Sequence, residues 1–98
     1  MNARKTLPKI DMAGVAQRLE ALREAHGIQK GEFADSFGLH PSSYSKVIQS
    51  AKPLKSEWAY IISQRWGASM DYIYKGDLSR IEDALRAKIM TNLNKAEP

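Results

Sequence analysis

The chain contains no cysteine, which excludes a disulfide framework, a thiolate zinc site and a cysteine nucleophile. Histidine is almost as scarce. His26 and His40 fall on different stretches with no carboxylate at ligand spacing, whereas a zinc site assembles three or four ligands. Neither a metal nor a cofactor is therefore expected. No apolar run approaches the length of a membrane-spanning helix. The basic segment Met1 to Lys9 lacks the apolar stretch of a secretion signal, so a cytoplasmic location is expected. Also missing are a glycine-rich phosphate loop, a Ser–His–Asp arrangement with supporting context, and a carboxylate pair that periodicity would bring together. An enzyme is not expected.

One further absence is local and more informative. The formal net charge is only +4, but no acidic residue lies between Asp35 and Glu57, while Lys46, Lys52 and Lys55 all fall inside that stretch. A weak overall basic bias says little about partners, whereas a run cleared of acids presents an uninterrupted positive field. The 98 residues, 43% of them hydrophobic, suit one folded domain with little room for a second core.

What is present reads as a series of helices. Asp11 is a suitable N-cap for a first helix in which Met12, Val15, Leu19 and Leu22 recur at helical spacing, ending at Gly27. A second helix is predicted from about Gln29 to Phe37, and a third from about His40, with Pro41 at the first helical position, where its missing N–H is harmless. Residues 51–55 read as a loop. Ser56 and Glu57 open a fourth helix that runs to Trp66, and Ser69 caps a fifth, Met70 to Tyr74. No stretch alternates with period two, so the expected class is all-α. The aromatic residues Trp58, Tyr60, Trp66, Tyr72 and Tyr74 lie where helical spacing calls for core. Residues 1–10 look like a basic arm, 11–77 like the main domain and 78–98 like a helical extension. In that extension Leu78, Ile81, Leu85, Ile89 and Leu93 form an apolar stripe. Such a stripe must be covered, and a homodimer contact through Ile81, Leu85, Ile89 and Leu93 is favoured over packing on the chain's own body.

The run Phe33 to Val47 carries the functional signal. Ala34 is small enough for two helices to approach closely, Gly38 suits a positive-φ corner, and Phe33, Phe37, Leu39, Tyr44 and Val47 supply an apolar underside. The outer face of the third helix is then small, polar and basic: Ser42, Ser43, Ser45, Lys46 and Gln49. Two short helices joined in this way, with such an outer face on the second, suit entry into a DNA groove. Phosphate neutralisation is expected from Lys30, Lys46, Lys52 and Lys55.

Three stretches in order, Arg18 to Gly27, Glu32 to Leu39 and Trp66 to Asp77, resemble the Cro/repressor (Xre-type, lambda-repressor-like) helix–turn–helix family over Val15 to Asp77. That resemblance implies a compact five-helix bundle whose third helix lies in the major groove. It also implies a transcriptional regulator, read as a repressor, acting as a homodimer on a palindromic operator, as in phages and other prokaryotic mobile elements. Carried over by position, base readout falls to Pro41, Ser42, Ser43, Ser45, Lys46 and Gln49. Phosphate contacts fall to Gln29, Lys30, His40, Lys52 and Lys55. The sequence departs from the family at Lys30, where Gln is common, at Pro41, where a donor side chain is common, and at Ile48, where Glu is frequent. Two other readings stand beside the repressor. One is an antitoxin that binds DNA and also a partner protein through its C-terminal helix. The other is a recombination or architectural factor that bends DNA.

Overall fold

Asp11 begins the first helix in the expected way: its carboxylate Oδ1 accepts from the Gly14 N–H at 3.1 Å, satisfying one donor that the helix cannot. From there the computed structural model, which describes residues 7–96, runs through six α-helices with no strand among the described residues. They are α1 (Met12–His26), α2 (Lys30–Ser36), α3 (Pro41–Ile48), α4 (Ser56–Trp66), α5 (Met70–Lys75) and α6 (Asp83–Ala96). Of the arm, residues 7–10 have no regular structure, and Arg4 and Lys5 lie outside the described residues. No helix of the described residues is long and apolar enough to cross a membrane, and no cluster of three metal-ligating side chains occurs among them.

The ends of α2 and α3 are set locally. Gln29 is the N-cap of α2 rather than its first residue, and its carbonyl accepts from the Phe33 N–H at 2.9 Å. Gly38 follows at φ +82°, a conformation a β-carbon disfavours, and lets the Leu39 N–H reach back to the Ala34 carbonyl at 3.0 Å. The chain thus reverses within residues 37–40 and enters α3. That helix closes at Ser50, which takes φ +62° so that the Ala51 N–H donates to the Lys46 carbonyl at 2.9 Å.

One continuous core holds these helices. Val15, Leu19 and Leu22 of α1, Phe33 and Ala34 of α2, Tyr44 and Val47 of α3, Ala59 and Ile62 of α4, and Tyr72 and Ile73 of α5 are fully buried. Phe33 stands at its aromatic centre, edge-to-face with Phe37 at 5.3 Å and with Tyr44 at 5.6 Å between ring centroids. Trp66 closes the cluster at 5.8 Å from Phe33 and donates its indole N–H to the Ser36 hydroxyl at 2.9 Å. Each aromatic edge contact contributes about 0.5–1.5 kcal/mol beyond area burial, so α2, α3 and α4 are tied by directional contacts as well as by apolar area.

The C-terminal stripe departs from expectation. Ile81 and Ile89 are buried, Leu85 and Leu93 pack at the edge of the same core, and α6 lies along α1. The Asn92 side-chain N–H donates to the Ala21 carbonyl at 3.0 Å, which fixes the register between the two helices. The cover expected from a second subunit is thus supplied by α1 of the same chain. The physical reason lies on α1, where Ala21, 3% exposed, and Ala25, at the edge of the core, are small enough for a second helix to settle close to the backbone. The helix also starts later than expected. Asp77 accepts from the Ser79 N–H at 2.9 Å and the Ile81 N–H turns back to Leu78 at 3.2 Å, so residues 79–82 form a turn.

One other expectation is corrected. Tyr60 is not core but 56% exposed on the outer side of α4. Arg18 of α1 is half-buried and donates from Nε to the Ile73 carbonyl at 2.8 Å and from Nη2 to the Tyr74 carbonyl at 3.1 Å. In return the Tyr72 hydroxyl donates to the Arg18 carbonyl at 2.7 Å, so α5 is fastened to α1 by polar contacts at its frayable end.

Candidate nucleic-acid interface

α3 is held from beneath by a polar pin. Tyr44 is fully buried, and its hydroxyl donates to Glu20 Oε2 on α1 at 2.6 Å. Glu20 in turn takes a forked pair of bonds from Arg23, Nε at 3.0 Å and Nη2 at 2.9 Å, and Lys30 Nζ of α2 stands 3.9 Å away. One carboxylate therefore joins α1, α2 and α3. Burial pushes the Glu20 carboxyl up, but the bonds from Arg23 and Tyr44 and the charges of Arg23 and Lys30 outweigh it and hold the group below its ordinary range. The Tyr44 hydroxyl is pushed the other way, above its ordinary range, by burial and by donation to the Glu20 carboxylate. It remains a donor at every physiological pH, which keeps the helix seated.

With Tyr44 and Val47 turned inward, the opposite flank of α3 is open. Pro41, Ser42, Lys46 and Gln49 are exposed, and Ser43 and Ser45 are half-buried. Pro41, Ser42, Ser45, Lys46 and Gln49 recur three or four residues apart and share one face. Gln49 sits just past the helix as its C-cap. Among the described residues no carboxylate lies within ion-pair distance of Lys46, Lys52 or Lys55. Ile48, at the position where the resembled family often has Glu, is half-buried and packs at the edge of the core.

His40 serves the helix as its N-cap. Its Nδ1 accepts from the Ser42 N–H at 3.1 Å and lies 2.8 Å from the Ser42 hydroxyl. A ring nitrogen that accepts from the backbone carries no proton, so Nε2 is the N–H of this imidazole and is free to donate outward. The Ser42 hydroxyl, exposed beside the same ring nitrogen, has both a proton and lone pairs with which to meet a base edge. Gln29 is exposed at the start of α2, where no side chain caps the helix, and Lys30 is exposed beside it.

The connection 49–55 between α3 and α4 brings Lys52 and Lys55 together. Their Nζ atoms lie 5.6 Å and 5.2 Å from the centroid of the Trp58 ring. Leu54 between them is buried, and its carbonyl accepts from the Tyr74 hydroxyl at 2.9 Å. Helical periodicity does not point to this cluster, because Trp58 reads as core and its cationic neighbours precede the helix. The spacing of three between Lys52, Lys55 and Trp58 is the one signal that leads to it. The expected dimer residues Ile81, Leu85, Ile89 and Leu93 lie apart from this surface, on α6 and the turn before it.

No protein-family model matches the chain, and no curated protein and no solved structure gives a significant match.

Proposed function

We propose that this chain is a sequence-specific double-stranded DNA-binding regulator of transcription in which α2 and α3 form a helix–turn–helix and α3 enters the major groove. The observation that carries the reading is the α3 flank: Ser42, Lys46 and Gln49 exposed on a helix pinned from beneath by Tyr44, with no carboxylate beside Lys46 among the described residues. A reading element needs both properties, a rigid seat and an unopposed positive edge. On this reading Lys46 donates to guanine O6 or N7, and Ser42 donates to or accepts from a base edge. Gln29, Lys30, His40, Lys52 and Lys55 hold phosphates around the helix. The resemblance to the Cro/repressor family belongs to the same proposal, as does repression as the mode of action.

A single helix of eight residues (Pro41–Ile48) reads few base pairs, so two copies on a palindrome supply the specificity, docked through a surface other than the stripe that α1 already covers. Titration of the full chain against duplexes from its own upstream region, over a range of salt, tests the proposal. The expected log–log slope is roughly −5 to −7 for a dimer with three or four phosphate contacts per subunit, with protection in two patches one helical turn apart. A folded chain that ignores duplex DNA even at low salt overturns it.

A further inference from the structure

We infer that Trp58 is a positioning residue that holds Lys52 and Lys55 ready for DNA phosphates. The inference rests on the DNA-binding reading above and deepens it, since it concerns the phosphate-binding edge of the same surface. Both ammonium groups lie within the distance, about 6 Å, at which a cation is drawn to an indole face, at 5.6 Å for Lys52 and 5.2 Å for Lys55. Trp58 is only half-buried, so its ring is open to these two side chains as well as to the core.

The backbone of this segment is already fixed. Leu54 is 4% exposed, and its carbonyl accepts from the Tyr74 hydroxyl at 2.9 Å. The freedom that remains is in the two lysine side chains, each among the most rotamer-rich of all residues. Freezing them at the moment of binding weakens affinity, and a ring that gathers them beforehand removes part of that loss. An ammonium has three N–H donors. A ring on one side leaves the others free to meet a phosphate oxygen. A carboxylate in the same place would neutralise the pair, and among the described residues none stands within ion-pair distance of either. Two like charges drawn to one ring also repel each other, and an arriving anion relieves that repulsion. The indole therefore gathers the charge without cancelling it.

The test compares duplex affinity and its salt dependence for the full chain, Trp58→Leu, Trp58→Phe, the pair Lys52→Ala with Lys55→Ala, and that pair combined with Trp58→Leu. Leucine is expected to weaken binding about five- to tenfold with the salt slope nearly kept, since both charges remain, while the paired alanines flatten the slope by about one to two. Phenylalanine, which keeps a ring face of weaker field, is expected to lose no more than about threefold. Leucine should add nothing once both lysines are gone. In the free protein the ε-methylene proton signals of Lys52 and Lys55 should stand upfield of those of Lys46 and return on loss of the ring. Unchanged affinity in Trp58→Leu, tighter binding, or an equal loss with and without the lysines overturns the inference and leaves DNA binding in place. No duplex affinity in the parent chain overturns both. If Trp58→Leu does not fold, the Trp58→Phe cycle and the lysine signals decide by the same criteria.

Discussion

α3 and α6 carry the same kind of pattern, an apolar stripe on one side and polar residues on the other, yet the two helices use it in opposite ways. In α6 the stripe finds its cover at home. Ile81 and Ile89 are buried, and the outer face is the mixed-charge surface of an ordinary solvated helix, with Arg86 paired to Asp83. In α3 the inward side chains, Tyr44 and Val47, are equally buried, but the outer face has one sign of charge and short polar side chains. An apolar stripe by itself says only that something must cover it. Whether a helix is offered to a partner is told by the opposite face, by which charges were left out of it.

Substitutions at either helix put this contrast at risk. The largest effect is expected at α6, where Ile89→Ala removes a fully buried side chain and leaves a cavity between α6 and α1. The expected loss in unfolding free energy is about 2–5 kcal/mol. It should be independent of protein concentration in urea titrations. A melting temperature that rises with protein concentration in the parent and not in the variant would return the stripe to a second subunit.

At α3 the same logic gives a reversed pattern. Lys46→Ala touches no core residue and should leave the thermal midpoint unchanged, while costing about 1–3 kcal/mol in duplex binding and relaxing preference at one base pair. Equal weakening on specific and random duplexes would assign Lys46 to phosphate alone. The smallest effect concerns the pin beneath α3. The Glu20 carboxyl is held below its ordinary value of 4.5 in the folded chain, so its contribution is complete above that value and is lost as pH falls through the depressed folded one. The stability gap between the parent and Glu20→Gln, measured by urea titration from about pH 7 downward, should therefore be widest near neutrality and close in acid. A gap that stays constant with pH would show that Glu20 acts by shape and not by charge.

Much of the fold is legible in the sequence because its signals are short-range. The Asp11 cap, the Gly38 corner and the entry of α3 at Pro41 each depend on residues within four positions, where local geometry decides the outcome. The open flank of α3 is legible for a related reason, since helical spacing fixes which side chains share a face. The seat of that helix is not. The bond from Tyr44 to Glu20 spans 24 residues, and the bonds from Arg18 to α5 span 55 and 56. Tyr60 escapes the spacing argument because it sits in a helix rich in apolar residues, and periodicity alone does not say which flank of that helix meets solvent.

A series of helices, the cap at Asp11, the corner at Gly38, the entry of α3 at Pro41 and an acid-free basic stretch beside a polar helix face are written into the chain itself. They follow from backbone preferences and periodicity over a few residues. The packing of α6 on α1, the junction of three helices at Glu20 and the gathering of two loop lysines on one indole arise only when the helices come together. Those are meetings between surfaces distant along the chain, and their energies depend on relative placement, which no local pattern encodes.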